Sequence, residues 1–206
     1  AFKVLRDATG QTLNYRRLLV GARVLAHRWT RLLLPDTPHV GVLLPNVNAT
    51  PVTLLSLWAA GRIPAVLNFS SGTGVMLQCC QLAGIRQIIT SRAFLERARI
   101  DPEPFRRAGL QLLLLEEIRA SVSSGARLAA LARSYAGGLR ALSTGRDGNT
   151  TAVILFTSGS EGTPKGVQLT HQNLLANLRQ LLARLDVVDT DRFFNALRRH
   201  PQGRPT

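Results

Sequence analysis

The sequence predicts an α/β fold, with a mostly parallel sheet flanked by helices and ending in a strand–Gly-rich loop–strand–helix unit. Three observations lead there. Val40–Leu44 is a short continuous apolar run, as expected of a strand buried on both faces, and further strand-like runs recur at Ile63–Leu67, Arg86–Thr90 and Leu110–Leu115. Segments with apolar residues at three- and four-residue steps alternate with these runs, the pattern of βαβ units. A cluster of glycines and hydroxyl residues at 157–166 follows an apolar run and precedes an amphipathic segment.

Taken in order, the first element is a helix over Leu13–Leu34, where Leu18, Ala22, Leu25, Trp29 and Leu32 mark a core-facing line and His27 is a packed or surface residue. Val40–Leu44 is the first strand, ended by Pro45-Asn46. Asn48 or Thr50 can cap the next helix, which runs through Leu54, Leu57, Trp58 and Ala60 to a C-terminal Gly61. Ile63–Leu67 is the second strand. Met76–Ala83 is a short helix ending near Gly84, and Arg86–Thr90 is the third strand. Ser91 opens a helix reaching Ile100, and Leu110–Leu115 is another buried strand that Glu116-Glu117 leave. Residues 119–149 are rich in Ser, Gly, Ala and Arg and form a surface connection, with a weak helix over Leu128–Tyr135 and a turn at Asp147-Gly148-Asn149. Thr170 caps the last helix, which carries Leu174, Leu178, Leu181, Leu182 and Leu185 on one face.

Composition narrows the functional classes. The chain has 206 residues, enough for one domain with a sizeable core, and 45% of them are hydrophobic, which argues against disorder. Its net charge of +14 invites a nucleic-acid or anionic-membrane reading. The arginines are nevertheless spread along the chain, and aromatics are only 5%, too few for a base-stacking platform, so no nucleic-acid partner is expected. Cys79 and Cys80 are adjacent and fit no metal spacing, so at least one reads as a small buried hydrophobe in a reducing, cytoplasmic setting. No signal peptide and no apolar run of 18 residues is visible. The sequence carries no Gly-x-Ser-x-Gly elbow and no His/Cys/carboxylate cluster with metal-ligand spacing.

The chemistry concentrates in Thr157-Ser-Gly-Ser-Glu-Gly-Thr-Pro-Lys-Gly-Val167. Glycines let the chain turn and let a ligand approach the amides. Successive N–H groups in such a turn make an anion-binding concavity, hydroxyls add neutral donors, and a lysine adds a point charge suited to phosphate. Lys165 is one of two lysines, the other being Lys3, against 24 arginines. The spacing differs from the Gly-x4-Gly-Lys-Ser/Thr loop, because Pro164 precedes Lys165 and Gly166 follows it. From the residues alone, three readings stay open: an adenylating ligase, a nucleotide- or polyanion-binding module without chemistry, and a basic nucleic-acid binder.

The string, followed by Thr170-His171-Gln172-Asn173, resembles the phosphate-loop signature of the adenylate-forming (AMP-binding) superfamily, which includes acyl-CoA synthetases, luciferases and nonribosomal peptide adenylation domains. Glu161 departs from the usual threonine. In that position, and in Gly41-Val-Leu-Leu-Pro-Asn46 and Gly61-Arg-Ile-Pro-Ala-Val-Leu-Asn68, the chain is similar to the acyl-acyl-carrier-protein synthetase half of bacterial 2-acylglycerophosphoethanolamine acyltransferases. The resemblance implies that residues 1–197 are the N-terminal part of an adenylation domain. It implies ATP phosphate binding by Thr157, Ser158, Gly159, Ser160, Glu161, Gly162, Thr163, Lys165 and Gly166, with Mg2+ nearby. Within that set, Glu161 is expected to turn away from phosphate or meet a cation, since like charges repel.

The same resemblance implies activation of a fatty acid as acyl adenylate and its transfer to the thiol of acyl carrier protein or CoA, at the cytoplasmic face of the bacterial inner membrane, with any membrane association supplied by parts of the parent protein outside this chain. The adenine pocket, a magnesium-binding glutamate and a catalytic lysine are expected downstream. Residues 198–206 depart from the family pattern and read as an aberrant or disordered basic tail, truncated or frameshifted, so the chain reads as an incomplete and inactive fragment.

Overall fold

The protein is described here from a computed structural model covering residues 3–7, 10–122, 125, 147–158 and 163–188. The predicted α/β fold is present. A six-stranded sheet runs in the order β6-β5-β3-β4-β7-β8, and a two-stranded hairpin, β1-β2, stands apart from it. The first five strands of the large sheet are parallel, and the last pair is antiparallel.

The chain opens with the hairpin β1 (Lys3–Arg6) and β2 (Thr12–Asn14), which has no apolar alternation to announce it. Asn14 then caps α1 (Tyr15–Leu32), its side-chain oxygen accepting from the Arg17 amide at 2.8 Å. β3 (His39–Val42) sends Val40 and Val42 to one side of the sheet, with Leu44 just beyond, while Leu43 turns to the other. This alternation is the two-residue period of a strand serving two cores. α2 (Ala49–Ala59) follows. Asn48 occupies its cap position but makes no capping bond, donating instead to the Gln11 carbonyl, and Thr50 bonds the Pro45 carbonyl. Neither candidate cap residue therefore acts as one.

β4 (Ile63–Val66) leads to α3 (Thr73–Leu82), which starts one turn earlier than its apolar pattern indicates. Gly61 and Gly84 end α2 and α3 with φ of 71° and 61°, the left-handed geometry that a C-terminal glycine supplies. β5 (Gln87–Thr90) is fully buried. Ser91 caps α4 (Arg92–Ala98) as expected, and a short α5 (Glu103–Arg107), not foreseen, precedes β6 (Gln111–Leu114).

One reading of this region needs correction. β6 is not a doubly buried strand: it lies at the sheet edge, where Gln111 is exposed and Leu112 and Leu114 are half-buried. Glu116 and Glu117 leave the strand as read, and form the first turn of α6 (Leu115–Ala120), where negative charge complements the helix N-terminus. The surface connection read over 119–149 is described only at its ends, with a buried Val122 and the expected turn at 147–149. The Leu128–Tyr135 helix and the 198–206 tail lie outside the described residues.

Two cores sandwich the sheet. On one side α1, α2 and α6 bring Trp29, Leu33, Leu57 and Ile118 onto Val40, Val42 and Ile89. On the other side α3, α4 and α5 bring Met76, Cys79, Cys80, Phe94 and Phe105 onto Leu43, Ala65 and Ile88. The fully buried Trp29 donates its indole N–H to Ser56 Oγ at 2.6 Å, and Ser56 Oγ bonds the Thr53 carbonyl, so the polar groups between α1 and α2 are satisfied. Both cysteines are buried, and burial together with neighbouring Cys79 pushes the Cys80 thiol up to about 12.

Candidate functional site

β7 (Thr151–Ser158) enters the sheet beside β4, and β8 (Pro164–Thr170) returns antiparallel to it. The register pairs Thr157 with Lys165 and Ser158 with Pro164, so the Gly-rich segment is the tip of a β-hairpin. That tip sits at the carboxyl edge of the parallel strands, the edge where open α/β sheets bind ligands. β4 is the sheet neighbour of β7, so its exit, Asn68 and the turn Phe69–Ser71, shares this edge.

Alternation along the hairpin sorts the site residues. Leu155 and Thr157 share a face with their partners Val167 and Lys165, and all four are exposed. Directly paired residues stand about 5 Å apart at Cβ, so the Thr157 hydroxyl and the Lys165 ammonium can reach one anion. Lys165 has no ion-pair partner among the described residues, which suits it to an incoming negative charge. Gly166 belongs to the opposite face: a Cβ there would lie 3.6 Å from Phe156 and 3.7 Å from Leu82, ordinary contacts, so space alone does not demand glycine. Of the predicted site residues, the structure describes Thr157, Ser158, Thr163, Lys165 and Gly166, whereas Gly159, Ser160, Glu161 and Gly162 lie outside the described residues. A cation flanked by hydroxyls at a hairpin tip is a donor set that fits phosphate.

The hairpin also decides what the site cannot use. β8 carries the chain back to the amino edge, where Thr170 pairs with Thr151 and caps α7 (His171–Arg184). A reciprocal capping box fixes that start: Thr170 Oγ1 accepts from the Asn173 amide at 3.1 Å, and the Thr170 amide donates to Asn173 Oδ1 at 2.9 Å. At about 3.3 Å per residue, the seven residues of β8 put the α7 N-terminus roughly 20 Å from the loop. Its dipole therefore does not point at the hairpin tip.

Several contributors were not legible in the sequence. Gln78, Gln81 and Leu82 on α3 line a shallow cavity of about 320 Å3 together with Thr163 and Pro164 at the loop's return. Trp58 on α2 donates its indole N–H to the Ala152 carbonyl at 2.7 Å and meets the His171 ring edge-on. The 147–150 turn is tied to α7, with the His171 amide on the Thr150 carbonyl at 3.2 Å and the Gln172 amide on the Gly148 carbonyl at 2.9 Å. These contacts join residues distant in the chain and leave no local pattern, although Gly148 lies in the turn read from sequence.

α7 itself has no buried residue, and Leu175, Leu178, Leu181, Leu182 and Leu185 are between 44% and 52% exposed. Of the leucine face read from sequence, Leu174 is half-buried, and Leu178, Leu181, Leu182 and Leu185 are exposed among the described residues.

The AMP-binding enzyme family matches residues 2–198. Over 46 residues the chain is 54% identical to the medium-chain fatty-acid–CoA ligase of Escherichia coli (strain K12), covering 22% of this chain and 8% of that protein. Over 161 residues it is 32% identical to the 4-coumarate–CoA ligase-like 3 of Oryza sativa subsp. japonica, covering 70% of this chain and 25% of that protein. The o-succinylbenzoate CoA synthetase of Bacillus subtilis superposes with a TM-score of 0.71 at 17% identity, over 91% of this chain and 34% of that one, and thereby shares the fold. The chain thus spans at most about a third of the length of these relatives.

Proposed function

Because the chain belongs to the AMP-binding enzyme family, we propose that it supplies the phosphate-holding wall of a site that activates a carboxylic acid as its acyl adenylate. The observation that carries this reading is the pairing of Thr157 with Lys165, which forms no ion pair among the described residues, at a hairpin tip on the carboxyl edge of the sheet. In the reaction, a substrate carboxylate oxygen attacks the α-phosphorus of ATP. The bond to the pyrophosphate oxygen breaks, and pyrophosphate leaves with its electron pair.

Little covalent work falls to the protein, so positioning and charge neutralisation set the rate. The loop amides of 158–163 and the hydroxyls of Thr157, Ser158, Ser160 and Thr163 hold the β- and γ-phosphates. Lys165 neutralises the leaving pyrophosphate, and Pro164 stiffens the return by fixing φ. Mg2+ bound to the triphosphate would screen its charge. Since magnesium keeps several waters and takes few protein ligands at such sites, Glu161 and the loop hydroxyls are the groups within this chain that would approach it.

The substrate we favour is a fatty acid, with acyl carrier protein or CoA as the thiol acceptor. The local likeness to the bacterial medium-chain ligase supports the acid, and the Glu161-containing loop supports an acyl-carrier-protein acceptor. The remaining walls of the site, including the adenine pocket, would come from polypeptide corresponding to the two thirds of the solved relative that this chain does not cover. The uncovered leucine face of α7 is a natural seat for such polypeptide.

The test is fatty-acid-dependent ATP–pyrophosphate exchange by the full-length gene product. Lys165→Ala and Gly162→Val should each lower exchange by roughly ten- to a hundredfold, the effect of losing one charge-assisted phosphate contact worth about 1.5–3 kcal/mol. Exchange at the parent rate in both variants would refute the loop assignment, and exchange that no carboxylic acid stimulates would refute the ligase reading.

A further inference from the structure

β6 ends the six-stranded sheet, and among the described residues nothing pairs with its outer edge. The Gln111 amide donates to the Arg86 carbonyl on the β5 side, so by the two-residue alternation of a strand the amides and carbonyls of Leu112 and Leu114 point outward. Their side chains lie on the α4–α5 side of the sheet. There they line a cleft of about 380 Å3 beside the edge, together with three arginines and three acidic residues. Apart from its shortness, β6 carries none of the devices that guard a free edge: it has no lysine, proline or glycine, and it pairs with β5 in unbroken register. The opposite edge strand, β8, begins Pro-Lys-Gly. Charge also sets this face apart. Residues 92–117 hold five arginines and five acidic residues, so the net charge of +14 comes entirely from the rest of the chain.

We propose that β6 is a homodimer edge, pairing antiparallel with β6 of a second copy of this chain about a two-fold axis normal to the sheet. Setting Leu113 on the axis places Leu112 opposite Leu114 of the second copy, and each such pair exchanges two backbone hydrogen bonds, about four in all. The same register brings the leucines together on the α4–α5 face, where the two clefts meet across the axis. Charge complementarity selects the occupant. Two copies that each carry +14 repel one another over most of their surfaces, and they can approach where the charge cancels. A face with equal numbers of arginines and carboxylates matches its own two-fold image. A polyanion or a strongly basic partner would meet as many like charges there as opposite ones. This pairing does not depend on whether the hairpin binds ATP.

The test uses the whole 206-residue chain. Sedimentation equilibrium from about 1 to 100 μM should show a mass that rises from 22.4 kDa toward twice that value, as mass action requires. Leu112→Lys puts a charge on the edge while its stem still covers the leucine's seat, and should weaken dimerisation by about tenfold or more. Leu178→Lys, on the exposed side of α7, adds the same charge elsewhere and should change the dissociation constant by no more than about twofold.

A nitroxide label on Gln111→Cys locates the contact even if Leu112→Lys fails to fold, since Cys79 and Cys80 are buried and escape labelling. In the proposed register the two labelled positions lie about 14 Å apart along the backbone, so electron spin resonance should read an intermolecular distance below about 30 Å. β8 stands five strand spacings from β6, about 24 Å, so pairing through that edge would hold the labels near 50 Å apart. A chain that stays monomeric throughout, a label distance near 50 Å, or dimerisation that Leu178→Lys abolishes and Leu112→Lys leaves intact would each overturn the proposal.

Discussion

Trp58 and His171 meet edge to face, their ring centroids 5.5 Å apart and their planes inclined by 69°. The contact is short in space and long in sequence. It joins α2, in the first half of the chain, to the start of α7, and the same indole bonds the Ala152 carbonyl at the root of β7. Trp58 therefore clamps the amino edge of the hairpin whose other end forms the candidate phosphate loop.

Trp58→Phe should keep the aromatic contact and remove the donor. Ala152 is fully buried, and a carbonyl left there without its partner costs about 1–3 kcal/mol. Urea denaturation of the chain should report that loss. Hydrogen exchange should report it as faster exchange of amides in β7 and β8, with β5 unaffected. Uniform destabilisation across the sheet would argue against a clamp local to the hairpin.

Gly41 lies in β3 at the sheet centre, and a Cβ there would come within 2.9 Å of Ile88 Cγ1 and 3.2 Å of Ile85 Cγ2. Both isoleucines are buried, so neither can step aside freely. Gly41→Ala should cost about 1–3 kcal/mol through overpacking. Ile88→Ala, which removes the crowding Cγ1, should therefore cost less in the Gly41→Ala background than in the wild type, as read from denaturation midpoints. Equal cost in the two backgrounds would mean that the Gly41→Ala penalty does not come from Ile88.

Glu116 bridges α6 to the start of α4. Its carboxylate accepts from Ser91 Oγ at 2.7 Å and from the amides of Arg92 and Ala93 at 3.1 and 3.3 Å. Partial burial pushes this carboxyl up, and the hydrogen bonds outweigh it, holding the group below the ordinary carboxylate range. A folded-state pKa below the unfolded one adds stability that is present above the unfolded value, near 4.3, and is lost as pH falls through the folded value. The stability gap between wild type and Glu116→Gln should therefore be constant from pH 7 to about 5 and narrow below 4. A gap that widens on acidification would reverse the assignment.

The buried Cys80 thiol, pushed up to about 12 by burial and by Cys79, should be almost wholly protonated at pH 8. Since the thiolate is the reactive form, Cys80 should resist iodoacetamide in the folded chain and react rapidly in denaturant. Mass spectrometry of the peptide holding both cysteines checks this. Rapid labelling of the folded chain would show that α3 opens readily.

Much of this architecture was written locally. Ser91 and Thr170 cap their helices, Gly61 and Gly84 end theirs, and the line Leu18–Ala22–Trp29 faces the core, because hydrogen bonds and periodicity act over a few residues. The phosphate loop was legible for the same reason, since its glycines, hydroxyls and lysine are contiguous. Local pattern could not tell β6, a leucine-rich edge strand, from β5, a central one, because neighbours across a sheet come from anywhere in the chain. Only the tertiary structure decided that the loop is a hairpin tip facing away from the α7 dipole, that Trp58 clamps its root, and that the α7 leucines Leu178, Leu181 and Leu182 are half-exposed among the described residues. Each of these depends on long-range packing, where the partner of a side chain is set by how the whole sheet is ordered and not by the residues beside it.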